Sequence, residues 1–260
     1  MSKDAKLDQI KVPLNRIIPF SNVEGIGNRT SIFLQGCNIN CLFCHNPETI
    51  PMSCSDAKEV SLEYLLTQIK ASMPFIRGIT VSGGEPTLHY QKLIPLFKEC
   101  HKLGLTCYLD SNGFFDCQQI RELLDVTDKI LFDIKGVGAG LEKICFDFSN
   151  TAGGQNLDEV AKPAIMYRHI ENLKQLLLED KIEEVRFVHC HGFYDAELVV
   201  KTIAKILQDY PHVLFKLIRV HARGARDEKF MRQHTPTLDQ HQRLEKLAKE
   251  LGLNNIFVIN

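Results

Sequence analysis

Thr30-Ser31-Ile32-Phe33-Leu34-Gln35-Gly36-Cys37-Asn38-Ile39-Asn40-Cys41-Leu42-Phe43-Cys44 runs a short strand straight into three cysteines. Ile32, Phe33 and Leu34 form the apolar β segment, and Gly36 hands it to the loop. Three thiolates at CxxxCxxC spacing can converge on one metal centre, because soft sulfur ligands suit iron–sulfur clusters and zinc. A closed site of either kind takes four protein ligands. The next cysteine after Cys44 is Cys54, too far along for close spacing. A [4Fe–4S] cluster on three thiolates keeps one iron open, which marks a reactive site. Half of a zinc site, completed by His45 or a distant residue, is the alternative.

Outward from this stretch the chain alternates strands and helices. Upstream, residues 1–14 are polar and are expected to form an arm, followed by the glycine-rich loop Val23-Glu24-Gly25-Ile26-Gly27-Asn28-Arg29. Downstream, Leu62, Leu65, Leu66 and Ile69 predict a helix from Ser61. The strand Gly78-Ile79-Thr80-Val81 then ends in Ser82-Gly83-Gly84-Glu85. A helix carrying Leu93, Leu96, Phe97 and Cys100 leads to Leu105–Leu109, which ends in Asp110-Ser111-Asn112-Gly113. Lys129-Ile130-Leu131-Phe132 ends in Asp133-Ile134-Lys135. Further strands are expected at Glu184–Val188 and Val213–Ile218, with helices around 164–179, at Val199–Ile206 and at Leu244–Leu251. About six βα units imply an α/β fold with a parallel sheet and outer helices, curled into a closed or partly open barrel as a single domain over 15–260. Each polar cluster follows a strand, so all should gather at one rim.

Lys plus Arg total 31 and Asp plus Glu 32, a formal charge of −1. Nothing in that balance favours nucleic acid or an anionic membrane as a partner. No apolar run approaches the ~20 residues that span a bilayer. The charged Met1-Ser2-Lys3-Asp4-Ala5-Lys6 start and nine cysteines point to a reducing cytoplasm without disulfides.

The strand-end clusters complement an open iron. The Ser82–Glu85 glycines allow close backbone approach and Glu85 can receive a cationic group. Asp110, Asp133 and Lys135 offer opposite charges that suit a zwitterion, or a metal ion bridging acids to a ligand carboxylate. On Glu24–Arg29, Phe33–Cys37, Cys41-Leu42-Phe43-Cys44-His45-Asn46-Pro47, Thr80–Glu85, Asp110–Gly113 and Asp133-Ile134-Lys135, the chain resembles the radical S-adenosylmethionine (SAM) proteins, and among them the activating enzymes of glycyl radical enzymes. The resemblance runs from about Arg16 to the last helix and implies a partial (β/α)6 radical SAM barrel. It implies that Cys37, Cys41 and Cys44 hold one [4Fe–4S] cluster. Phe43 and His45 would line the adenine side of SAM, Gly83 and Gly84 would approach its methionine moiety, and Lys135 would pair with its carboxylate. Asp110, Ser111 and Asp133 match the family's monovalent-cation site. Arg186 and His221 match a strand-end arginine and histidine near the cofactor. The implied reaction is reductive cleavage of SAM to methionine and a 5′-deoxyadenosyl radical, which removes a hydrogen atom from a glycine of a partner glycyl radical enzyme. The electron would come from a flavodoxin or ferredoxin, and the chain is expected to be a monomer.

Three departures from the family pattern fall where a partner could dock. Glu24-Gly25-Ile26-Gly27 replaces Asp-Gly-Pro-Gly, His191-Gly192 replaces a Pro-Gly, and the segment 150–162 has no counterpart. Extra cluster cysteines after the first loop are reduced to Cys54. Cys100 and Cys107 read as core residues. Cys190, between two histidines, reads as structural, and the basic run Arg219–Arg226 as a solvated rim. Two rival functions remain: a radical SAM enzyme acting on a small molecule or short peptide, and a non-catalytic zinc-binding module.

Overall fold

The computed structural model describes residues 6–146 and 162–260. The segment 150–162, apart from its last residue, lies outside the described residues. The chain divides into two compact units, Met1–Asn38 with Glu48–Ser111 and Phe115–Leu131, and Ile39–Pro47 with Asn112–Phe114 and Phe132–Asn260.

In the first unit the strands are β1 (Lys11–Ser21), β2 (Arg29–Leu34), β3 (Lys58–Ser61), β4 (Gly78–Gly83) and β5 (Thr106–Ser111), with helices α1 (Leu62–Ser72), α2 (Tyr90–Lys102) and α3 (Arg121–Asp125). Strand β2 is buried along its whole length and runs parallel to β4, as β4 does to β5. Buried parallel strands read as apolar runs because helices cover them, and Leu65, Ile69, Leu93, Leu96 and Phe97 supply that cover. Ser61 caps α1 by accepting a hydrogen bond from Tyr64 N, as the predicted start at Ser61 requires.

Residues 11–14, expected to belong to an arm over 1–14, are instead the start of a strand. From Lys11 the chain is β1, antiparallel to β2 on one side and β3 on the other, with Val12 and Leu14 buried. Pro13, Pro19 and two register shifts break the alternation by which a strand is recognised.

Strand β6 (Lys129–Ile134) has its first three residues in the first unit and its last three in the second. The second unit continues with α4 (Gly138–Cys145), α5 (Lys162–Leu178), β7 (Ile182–His189), α6 (Ala196–Leu207), β8 (Leu214–Arg219), α7 (Glu228–His234), α8 (Leu238–Glu250) and β9 (Ile256–Ile259). Strands β7, β8 and β9 are parallel neighbours in that order. Asp195 and Asp227 cap α6 and α7, and Thr237 opens α8 with a reciprocal capping box to Gln240. The fold is thus α/β with a mostly parallel sheet and outer helices. No helix among the described residues is long and apolar enough to cross a membrane.

Candidate active site

In the first unit, the turn after β2 and the turn after β4 are stitched together through backbone. Gly84 N donates to Leu34 O at 2.9 Å, and Glu85 N donates to Gly36 O at 2.8 Å. Gly36 N and Cys37 N donate to Thr49 O and Ile50 O, which fixes the entry to the cysteine loop. Gly83 sits at φ +114°, and a Cβ on Gly84 would lie 2.0 Å from Gly36 O. The two glycines are therefore required by the approach of two strand ends, whatever ligand lies beyond them.

Glu85 is fully buried. Its Oε1 accepts from Thr87 N, Thr87 Oγ1 and, at 2.9 Å, Ser111 Oγ. This carboxylate thus ties β4's end to β5's. Ser82 Oγ donates to Asp110 Oδ2 at 3.0 Å. Below them, buried Gln35 donates to Glu48 O and Pro51 O and accepts from Asn15, so its side chain pins the segment that closes the loop. Arg29 donates to Thr80, Ile79 O and Thr106 and stacks over Tyr108, and Thr80 Oγ1 donates to Glu24 O. These contacts hold the Glu24–Arg29 motif.

In the second unit, the cysteine loop is clamped from two directions. Asn40 N and Leu42 N donate to Cys145 O and Ile144 O at the end of α4, at 2.7 and 2.9 Å. Arg226 N and Asp227 N donate to Cys44 O and Leu42 O, and Arg226 Nη1 donates to Asn40 Oδ1 at 2.6 Å. The basic run is therefore more than a solvated rim: Arg226 holds the loop. That contact joins residues 186 positions apart, so no local pattern announces it.

Cys41 is buried, while Cys37 and Cys44 are half-buried; no cysteine of the chain is in a disulfide. Cys41 Sγ lies 3.2 Å from Cys145 Sγ. That thiol hydrogen bond, assisted by the Lys135 charge, lowers the pKa of Cys41 against the opposing effect of burial. Burial raises that of Cys145 well above the ordinary thiol value. Lys135 pairs with Asp133 at 2.6 Å and its ammonium lies 5.7 Å from the centre of the buried Phe43 ring. His45 Nε2 meets His221 O at 3.0 Å, and burial, ahead of the nearby His221, lowers its pKa. Arg186 lies inside β7 rather than at its end, in an ion pair with buried Glu184, which also holds Lys216.

Within each unit, then, the predicted residues gather in groups: Gly83, Gly84, Glu85, Asp110 and Ser111 in the first, and Cys41, Phe43, Asp133 and Lys135 with the His45–His221 pair in the second. Asn40, Arg226 and Cys145 are additions that only the fold reveals.

Similarity to known proteins defines the fold and the family. The family model for a 4Fe-4S single cluster domain matches residues 23–136. Two solved structures share the fold at low identity. The Streptococcus suis SuiB structure bound to S-adenosylmethionine has a TM-score of 0.54 at 15% identity, covering 88% of this chain and 45% of that one. The Kitasatospora setae radical S-adenosylmethionine methyltransferase TsrM, with cobalamin and a [4Fe-4S] cluster bound, has a TM-score of 0.52 at 14% identity, covering 74% and 34%. The shared fold is the α/β fold, with a mostly parallel sheet, of the radical SAM enzymes. A Haemophilus influenzae protein provisionally named a glycyl-radical enzyme activating enzyme is 52% identical over 97% of this chain and 98% of its own length. The pyruvate formate-lyase 1-activating enzyme of Escherichia coli is 30% identical over 78% of each chain. The chain belongs to the glycyl-radical enzyme activating enzymes, and it is a radical SAM enzyme. That membership removes the zinc-module reading.

Proposed function

We propose that this chain reductively cleaves SAM and installs a glycyl radical on a partner enzyme, with Cys37, Cys41 and Cys44 as the only protein ligands of one [4Fe–4S] cluster. The observation that carries this reading is the CxxxCxxC run, outside any disulfide, in a chain of this family. The donor set fits the group, because iron–sulfur clusters take thiolates and Cys41 is held toward the thiolate form. When bound, the cluster and SAM supply the electron transfer and the radical.

The chain's own residues bind and orient. Lys135 takes the SAM carboxylate, its charge already aligned by Asp133. Phe43 and His45 line the adenine side, and His221 orients His45 through its carbonyl. Gly83 and Gly84 present backbone toward the methionine moiety, and Glu85 fixes their turn. Asp110, Ser111 and Asp133 suit a monovalent cation, and Arg186 is kept oriented by Glu184. The loop Val23–Gly27 faces the partner's glycine, offering the exposed Val23 and Ile26. Residues 15–260 act as one domain, in a reducing cytoplasm, as a monomer served by a flavodoxin or ferredoxin.

Anaerobic protein reconstituted with iron and sulfide, reduced in the presence of SAM and a candidate glycyl radical enzyme, tests this. We expect 5′-deoxyadenosine and a glycyl radical signal in electron paramagnetic resonance. SAM cleavage with transfer to a small molecule or short peptide, and to no glycyl radical enzyme, would overturn the activase reading.

A further inference from the structure

Three buried features in the second unit lie outside the roles assigned above: the stacked His189–His241 pair, the Tyr194 and Cys190 side chains, and Cys145. The last touches the chemistry directly. Cys145 ends α4, has no exposed surface, and places its sulfur 3.2 Å from that of Cys41. The contact is built into the backbone. Carbonyls of Ile144 and Cys145 receive the amides of Leu42 and Asn40, the residues on either side of Cys41. Among the described residues Cys145 makes no other side-chain hydrogen bond.

We propose that Cys145 is a positioning residue for the cluster, donating its S–H to the Cys41 sulfur and thereby raising the cluster's reduction potential. The inference rests on Cys41 being a cluster ligand. A ligating cysteine is a thiolate and has no proton to give, so the proton in this sulfur–sulfur contact belongs to Cys145. Hydrogen bonds to ligand sulfurs stabilise the extra negative charge of the reduced cluster and so help to set its potential. Burial excludes water from competing for the same sulfur and strengthens the bond. The effect is on the ease of reduction, the step on which SAM cleavage depends.

The test uses the full chain, reconstituted anaerobically, as Cys145→Ala and Cys145→Ser. Iron and sulfide content, the midpoint potential from a redox titration followed by electron paramagnetic resonance, and the Fe–S(Cys) stretching bands in H2O and D2O are read for each. Expected for the alanine variant are wild-type iron content, a more negative potential and loss of the D2O-sensitive component. Serine keeps a donor and should restore both. An unchanged potential and unchanged isotope sensitivity in a fully loaded alanine variant would overturn the proposal. Where the alanine variant binds no iron, serine decides: retained isotope sensitivity supports the hydrogen bond, and its loss refutes it. Loss of iron from both, in folded protein, would make Cys145 a ligand instead and refute it too. A Cys41→Ala variant with a wild-type cluster would show that the ligand assignment itself is wrong, a failure distinct from the others.

Discussion

Lys135 sits 2.6 Å from Asp133 with little of its side chain exposed, so its charge is pre-aligned at a strand end. Lys135→Ala should leave the cluster in place, because no iron ligand is touched. It should weaken SAM binding ten- to a hundredfold, since losing one charge-assisted contact costs roughly 1.5–3 kcal/mol. Equilibrium binding to reconstituted protein reads this, and unchanged affinity would remove Lys135 from the site. His169 is fully buried, its Nε2 meets Gly136 O at 3.0 Å, and burial drops its pKa from 6.5 to about 4. Between those values the unfolded chain takes up a proton that the folded chain refuses, so stability falls as pH drops from about 6.5 toward 4. At pH 5 the loss relative to pH 7 is about 2 kcal/mol by linkage. His169→Gln should flatten that part of the pH profile of the urea midpoint. A profile of unchanged slope would assign the acid sensitivity elsewhere.

Two strand ends that approach backbone to backbone leave no room for a side chain. Gly84→Ala would put a methyl group 2.0 Å from Gly36 O while Gly84 N and Glu85 N hold the strands at 2.9 and 2.8 Å. Overpacking of this sort costs typically 1–3 kcal/mol. The variant should therefore show a lowered urea midpoint and, because Gly36 precedes Cys37, reduced iron uptake. A variant as stable as the wild type would mean that the ends of β2 and β4 part more easily than their hydrogen bonds imply.

For the chain as a whole, the number of clusters is set by which cysteines can become thiolates together. Cys100, Cys107, Cys117, Cys145 and Cys190 are buried. Burial pushes the Cys107 thiol far up and that of Cys190 to about 12. Among the described residues the one compact set of metal-type donors is His101, Cys107 and Asp128, where Asp128 already bonds His101 and Cys107 N. One [4Fe–4S] cluster, about four iron atoms per chain, is expected on this basis. Quantifying iron and sulfide checks it. About eight irons, dependent on cysteines outside 37–44, would mean a second cluster and an internal electron relay.

The sequence by itself determined the βα order, the cluster motif and the family, because those reside in local periodicity and in residues adjacent along the chain. Cys100 and Cys107 fell in the core as their apolar stripe and strand indicated. Only the tertiary structure decided what each motif touches. Strand β1 was masked by prolines and bulges, and β9 is a four-residue run that becomes a strand by pairing with β8. Gly84 lets the ends of two parallel strands approach, Glu85 joins two strand ends, Arg226 clamps a loop far away in sequence, and Cys145 meets Cys41 across 104 positions. Contacts at such separations follow from packing and from the need of every buried polar group for a partner, and neither is written in a local pattern.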